Sequence, residues 1–526
     1  MKLYRAFLTV GGMTGISRVL GFVRDIMIAA IVGTGVVADA FFVAFRFPNL
    51  FRRLFGEGAF NAAFVPLFAK RLEGEGKTAA HGFAEEAMAG LLFALLIVLA
   101  IAELAMPWLM LVLAPGFADT PAKFDLTVLL ARIAFPYLLC MSLVALLSGV
   151  LNSLHRFTIA AAAPILLNIV LIATLGLAVA LGYKNEPMAG IILAWGVAIA
   201  GFAQLLLLWL AVRRAGYSLR LRWPSYSPDM RRLVQLGIPG IIAGGVTQIN
   251  LVAGTLIASL QDSAVSFLYY ADRLYQLPLG IVGVAIGVVL LPDLSRKLRA
   301  GETAAVLDSQ NRALEFALLL TLPAATGLAV LAEPIIRVLF ERGSFTPADT
   351  SATAAAVAAF AFGLPFFVIQ KVLQPGYFAR EDTQTPMRFA WVNLIINLAL
   401  SIALFFGFRT IGWMGHVGIA IATTIAGAVN ALLLWVTLSR RGHFTLDGAA
   451  RRNLVLIVIA SAAMAAIFWF VGHEVLGSHL ARSSPVASRV LALAALVGLG
   501  LVMLAMLAFA TGIGRSAGVA ARSRRQ

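Results

Sequence analysis

Apolar residues in this chain gather into long blocks, separated by short clusters of proline, glycine and charge. A membrane-spanning helix needs about 20 predominantly apolar residues, and the blocks reach that length again and again. They predict about fourteen helices: Phe7–Val32, Ala38–Phe68, Glu86–Leu113, Phe124–Leu151, Thr158–Leu181, Met188–Val212, Met230–Leu260, Ser263–Leu294, Ala313–Leu331, Ser351–Phe378, Met387–Phe406, Ile411–Leu438, Leu454–Val471 and Val490–Ala510. The fold class is therefore an all-α polytopic membrane protein.

The pattern has interruptions that matter. Arg18, Arg24, Arg52 and Arg273 lie inside blocks otherwise apolar enough to cross a bilayer. Each costs about 2.5–3.5 kcal/mol at the centre of a membrane helix, so the set costs on the order of 10 kcal/mol unless it lines a wet cavity or meets an anion. At about 1.5 Å per residue, Arg18, Arg52 and Arg273 fall roughly 15–20 Å from their helix starts. Arg24 lies nearer the far end of the first block. Snorkelling to the headgroups suits Arg46 or Arg132 better than it suits these four.

Composition agrees with the pattern: the chain is 61% hydrophobic, 13% charged and has a mean hydropathy of +0.92. Its net charge of +16 sits in short loops, where it orients a membrane protein and does not point to nucleic acid. Assigning alternate loops to opposite sides collects Lys2, Arg5, Lys70, Arg71, Arg213, Arg214, Arg220, Arg222, Arg231, Arg232, Arg296, Lys297, Arg299, Arg440, Arg441, Arg451, Arg452 and the tail arginines on one side. Little beyond Lys123, Lys184, Arg337, Arg342, Arg409, Arg482 and Arg489 falls on the other. The positive-inside rule then places both termini in the cytoplasm. The single Cys140 excludes a disulfide framework within the chain. Met1–Val10 has a basic signal-like start, but Arg18, Arg24 and Asp25 interrupt the apolar run behind it, so it is expected to stay as the first span.

The chain also repeats itself. Ala38, Phe41, Pro66, Lys70, Arg71 and Leu72 recur as Ala264, Phe267, Pro292, Arg296, Lys297 and Leu298 at a spacing of about 226 residues. Phe135-Pro136 and Leu167-Asn168 recur as Leu364-Pro365 and Ile396-Asn397 at nearly the same offset. The repeat implies two pseudo-symmetric lobes of six helices each, residues 1–215 and 216–445, with two extra C-terminal helices and a basic tail in 446–526. A parallel repeat places the substrate between its halves. The halves are chemically unequal, since Arg52 aligns with Pro278, and Arg18 and Arg24 have no basic counterpart.

In the first helix a seven-residue step places Ser17 with Arg24, and Arg18 with Asp25, on shared faces. Arg18 and Arg24 point about 120° apart on a straight helix, with Gly21 between them. Asp25 is a candidate neutraliser of Arg24. In the second helix Asn49, Arg53 and Gly56 share a stripe, and Arg53 pairs with Glu57 at i,i+4, which leaves Arg52 for a ligand. Tyr270, Asp272, Arg273, Tyr275 and Gln276 precede Pro278, where a transport helix can flex. Aromatics at this spacing are more often packing than recognition. Arginine forks in a low-dielectric cavity suit phosphate or pyrophosphate, with carboxylates left open. No HExxH, GxSxG, Walker lysine loop or paired-aspartate motif is present, and the six histidines form no metal-ligand spacing, so neither an enzyme nor a metal or cofactor is expected.

The segments Gly15-Ile16-Ser17-Arg18 to Arg24-Asp25, Ala38-Asp39-Ala40-Phe41, Phe47-Pro48-Asn49 to Phe60, Tyr270-Ala271-Asp272-Arg273-Leu274 and Phe378-Ala379-Arg380-Glu381-Asp382-Thr383-Gln384-Thr385-Pro386 resemble the MurJ (MviN) family of lipid II flippases, within the MOP superfamily that also holds multidrug and polysaccharide exporters. The resemblance runs from the first helix to the last. It implies flipping of the undecaprenyl-pyrophosphate-linked peptidoglycan precursor from the cytoplasmic to the periplasmic leaflet of the bacterial inner membrane. It implies that Arg18, Arg24, Arg52 and Arg273 are cavity cations, with Ser17, Asn49 and Arg53 beside them. Asp25, Asp39 and Glu57 would then gate or balance these cations, and the last two helices would hold the polyprenyl tail. Lipid II and membrane lipids are the expected partners, and contacts with the cell-wall synthesis machinery stay open. Two departures stand out: Gln276 occupies a position where some members carry glutamate, and Asn250, Asn393 and Asn397 stand where some carry sodium-binding carboxylates. Hard cations prefer charged oxygens, which argues against sodium coupling here. An exporter of another polyprenyl-linked glycan, or of small cationic compounds, is the competing reading on the same architecture. A cation exporter would need carboxylates and aromatics where this chain has arginines.

Overall fold

Helices account for every regular element among the described residues of the computed structural model. These are 2–51 and 60–512, with side chains described except at 2–9, 51, 60–62, 239–247, 251, 281, 284–285 and 287–288. In chain order they are α1 (Lys2–Ile31), α2 (Val36–Phe51), α3 (Phe60–Gly74), α4 (Gly76–Leu113), α5 (Pro121–Ala134), α6 (Tyr137–Ser153), α7 (Phe157–Ala180), α8 (Pro187–Arg214) and α9 (Pro228–Ala258). Beyond these come α10 (Ala264–Arg299), α11 (Thr303–Val330), α12 (Ala332–Phe340), α13 (Pro347–Phe378), α14 (Gln384–Thr410), α15 (Gly415–Arg440), α16 (Gly448–Phe470), α17 (Gly477–Leu480) and α18 (Val486–Thr511).

Ten spans among the described residues are long and apolar enough to cross a membrane. Of the others of the expected set, α1, α9 and α10 contain residues whose side chains are not described, and the chain between α2 and α3 lies outside the described residues. The repeat reaches the helix starts themselves. Lys2 and Pro228, Val36 and Ala264, Gly76 and Thr303, Pro121 and Pro347, Phe157 and Gln384, and Pro187 and Gly415 open corresponding helices, each pair about 227 residues apart.

Several boundaries differ from the apolar blocks. α4 and α11 begin at Gly76 and Thr303, well before Glu86 and Ala313. Their first turns are polar but rich in Ala, Leu, Gln, Glu and Arg, which propagate a helix beyond the membrane. The block Phe124–Leu151 is divided at Phe135-Pro136 into α5 and α6, because Pro136 supplies no amide hydrogen to the helix ladder. α13 starts at Pro347, ahead of Ser351, because Thr346 and Asp349 form a reciprocal capping box of 2.7 and 3.3 Å hydrogen bonds. The short α12 and α17 fall outside the blocks altogether.

The chain divides into two compact units, Met1–Ser266 with Arg342–Phe345, and Phe267–Glu341 with Thr346–Gln526. In the first, Phe45 of α2 packs on Phe41 and on Tyr137 of α6 with ring centroids 5.7 and 6.0 Å apart. Phe64 of α3 stacks on Phe83 of α4 at 5.5 Å. The turn Arg342–Phe345 closes against the end of α1: the Ser344 amide donates to Ala30 O and its hydroxyl to Ile31 O. A Cβ on Gly33 would meet Ser344 O at 2.6 Å and one on Gly343 would meet Ala30 O at 2.1 Å, so both positions require glycine, each with positive φ.

In the second unit, Val282, Ile286, Leu290 and Leu294 form a four-residue stripe on α10 that meets Leu314 and Leu318 of α11, Leu364, Val368 and Val372 of α13, and Leu434 and Leu438 of α15. Outward faces are apolar as well. On α4, Leu104 and Trp108 are exposed while Ala102, Met106 and Met110 are buried, as expected where the surrounding solvent is lipid.

Candidate functional site

α1 carries an arginine that has been taken out of solvent. Arg24 is 8% exposed and its neighbour Asp25 2%. Arg24 Nε and Nη2 donate to Asp25 Oδ1 at 3.0 and 2.7 Å, and Nη1 donates to Asn168 Oδ1 of α7 at 2.9 Å. Asn168 Nδ2 donates in turn to Ser17 O at 2.9 Å. The side chain of Asn168 therefore bridges the two residues, Ser17 and Arg24, that the seven-residue step puts on one helix face. Asp25 neutralises Arg24, and charge-assisted bonds of this type are about twice as strong as neutral ones. Arg18 stands exposed on the same helix.

α2 carries a second buried charge. Asp39 is 0% exposed. Its Oδ2 accepts from Lys123 Nζ at 2.8 Å and from the Ser263 amide at 3.0 Å. Its Oδ1 accepts from the Ser266 amide at 2.9 Å and from the Ser266 hydroxyl at 2.5 Å. The carboxylate thus caps the start of α10, where the helix dipole favours negative charge. Lys123, 2% exposed, also approaches Asp262 at 3.4 Å and lies 4.2 Å over the Phe117 ring. Further along α2, Arg46 hydrogen-bonds Thr255 of α9 and so is engaged inside the first unit. Asn49 Nδ2 donates to Phe45 O at 3.1 Å, one turn back. Arg52, Arg53 and Glu57 lie outside the described residues.

On α10, Arg273 Nη2 donates to the Tyr269 hydroxyl at 2.9 Å and the guanidinium lies 4.5 Å over that ring. Gln276 is bonded to Asp272. Tyr270 packs on Phe340 and Tyr275 on Phe360, with centroids 5.3 and 4.9 Å apart, so these two tyrosines are packing residues. Of the three asparagines at the sodium-site positions, Asn393 donates to Ala426 O at 3.0 Å and Asn397 Oδ1 accepts from the hydroxyls of Ser401 and Thr423, both at 3.3 Å.

α11, α16 and α18 enclose an apolar groove of about 260 Å³ lined by residues including Leu320, Pro323, Gly327, Met464, Phe468 and Gly500. Phe468 sits where a Cβ on Gly500 would come within 2.8 Å of its ring, so glycine there lets the tip of the aromatic ring approach α18 closely.

Sequence reasoning used Asn168 only as a marker of the repeat, and it took Lys123 for a loop charge. Lys123 is 84 residues from Asp39, beyond any helical spacing rule.

The helical architecture identifies the fold first. A MATE-family multidrug transporter of the MOP superfamily, in an inward-facing conformation, superposes with a TM-score of 0.65 at 14% identity over 83% of this chain and 98% of that one. A lipid II flippase MurJ in an inward closed conformation superposes better, with a TM-score of 0.77 at 24% identity over 95% and 98% of the two chains. The fold is that of the MOP superfamily. The family model for lipid II flippase MurJ matches residues 28–489. A probable lipid II flippase MurJ of Rhizobium tropici is 50% identical over 475 residues, covering 90% of this chain and 88% of its own length. The lipid II flippase MurJ of Burkholderia cenocepacia is 34% identical over 475 residues, covering 89% and 90%. The chain belongs to the lipid II flippase MurJ family.

Proposed function

We propose that this chain moves the undecaprenyl-pyrophosphate-linked peptidoglycan precursor, lipid II, from the cytoplasmic to the periplasmic leaflet of the inner membrane. Both termini lie in the cytoplasm in this reading, and the lobes 1–215 and 216–445 alternate access to the substrate. The last two long helices, α16 and α18, hold the polyprenyl tail in the groove beside Phe468. Family membership supports the substrate class. The observation that carries the mechanism is Arg24, buried and bonded to Asp25 and Asn168. A fixed cation facing a pyrophosphate binds equally well in both states unless something competes for it, and equal binding moves nothing. Asp25 is such a competitor: it holds Arg24 when the cavity is empty and yields it to phosphate. Arg18, Arg52 and Arg273 supply the remaining positive charge, with Arg53 and Glu57 repeating the exchange on the second helix. An inside-negative potential then favours return of the empty cationic cavity, at about 2.3 kcal/mol per charge per 100 mV across the full field.

The test is complementation in a strain depleted of its own flippase, scored with exposure of the precursor on the outer leaflet. Alanine at Arg18, Arg24, Arg52 or Arg273 is expected to abolish both while leaving the protein in the membrane. Lysine should rescue poorly, since a point charge does not replace the bidentate fork. Wild-type growth at three of the four positions overturns the site. Asp25→Asn should keep substrate affinity and lose turnover; a loss of affinity in proportion to activity overturns the exchange.

A further inference from the structure

Two cavities in the first unit meet edge to edge and share Tyr226. One, of about 480 Å³, is walled by apolar residues of α4 and α9, among them Gly90, Leu91, Ala94, Leu233 and Val234. Its neighbour, of about 600 Å³, is ringed by Lys70, Arg71, Glu75, Asp229, Arg231 and Arg232. Arg71 is bonded to both Glu75 and Asp229. No ion pair among the described residues engages Lys70, Arg231 or Arg232, all three of them exposed. The basic cavity therefore keeps a positive surplus.

Local structure does not explain that surplus. Arg231 and Arg232 fall within the first two turns of α9, the end of a helix where the dipole disfavours cations. Nor is the shared rim a loop that merely drapes there. Glu85, 0% exposed, accepts from the Arg220 amide at 2.8 Å and pairs with Arg222 at 2.6 Å. Glu86 accepts from the Ser225 hydroxyl at 2.6 Å and from the Ser227 amide at 3.3 Å. Two adjacent carboxylates of α4 thus fix the segment that separates and joins the cavities.

We propose that the paired cavities bind an anionic membrane phospholipid, with an acyl chain between α4 and α9 and the phosphate among Lys70, Arg231 and Arg232. A free phosphate has no use for the apolar half, and a zwitterionic phospholipid brings its own ammonium against the surplus of cations. The site lies in the leaflet that the basic loops face, and its chemistry does not depend on the transport reading above.

The experiment uses the full chain in detergent, titrated separately with phosphatidylglycerol, phosphatidylcholine and the lipid-linked precursor, with bound lipid counted by native mass spectrometry. Two variants are compared with wild type. Arg231→Gln with Arg232→Gln removes the charge, and Ala94→Trp fills the apolar half from an exposed position on α4. Phosphatidylglycerol should be held about twentyfold to thirtyfold more weakly by the charge variant, about fivefold per arginine. It should also be lost from the filled variant, while phosphatidylcholine binding stays equal in all three proteins. Undiminished phosphatidylglycerol binding in either variant, or loss of the precursor in place of phosphatidylglycerol, overturns the proposal.

Discussion

Asn168 shows how a single uncharged side chain can set the state of a buried cation. Its amide oxygen takes one guanidinium nitrogen of Arg24 and its amide nitrogen holds Ser17 O. A hydrogen bond to a charged group contributes about 1.5–3 kcal/mol, so Asn168→Ala should lower the flipping rate by roughly tenfold or more, with unchanged protein in the membrane. Proteoliposome flipping normalised to protein content measures this, and a rate within twofold of wild type, on the order of 0.4 kcal/mol, would sink it. Asp39 and Lys123 make a different case, because removing one member strands the other in a buried site. Asp39→Asn or Lys123→Met alone should cost about 3–5 kcal/mol, and the two together markedly less than the sum. Thermal unfolding in detergent, run as a double-mutant cycle, reads the coupling. The sequence showed Arg24 and Asp25 as a pair because they are adjacent. It was silent on Asn168, Lys123 and Ser266, which reach their partners only after distant helices pack.

Among the elements, the turn from α13 to α14 gives a physical role to one of the segments that carry the family resemblance. Glu381 adopts a φ of 61° there, and Asp382 accepts from the Thr385 amide at 2.9 Å, its hydroxyl at 2.7 Å and Arg441 at 2.7 Å. Burial works against the charged form, but those hydrogen bonds from Thr385 and Arg441 draw the Asp382 carboxyl down to about 2. A depressed carboxyl contributes stability above its unfolded value of about 3.9, and that contribution is lost as the pH falls from there towards the folded value. Asp382→Asn should therefore lower the unfolding midpoint at pH 7 and lose its effect as the pH approaches 2. An equal penalty at both pH values would show that the charge is not what the turn uses. The apolar blocks located the long helices because lipid demands uninterrupted apolar length. They missed the polar first turns of α4 and α11 and the short α12, where helix propensity and capping act without any membrane constraint.

At the scale of the whole molecule, α16 and α18 lie outside the repeat yet are built into the second unit. Asn453 donates to Glu315 at 3.3 Å and Arg337 Nη1 to Leu480 O at 2.8 Å. Deleting the chain after Arg452 should leave a body that inserts but no longer supports growth, and full complementation by the truncation would remove the role given to these helices. The missing Asn453 also leaves Glu315 without that bond, so the truncated body should unfold at a lower temperature than the full chain. The turn Arg342–Phe345 has a further consequence. It belongs to the first unit, although the chain on either side of it belongs to the second. The polypeptide therefore crosses between the units after Ser266, again after Glu341 and back after Phe345. If the gene were severed after Ser266 and its two pieces produced separately, the later piece would still carry Gly343 and Ser344, the tongue of a buckle whose frame is the end of α1.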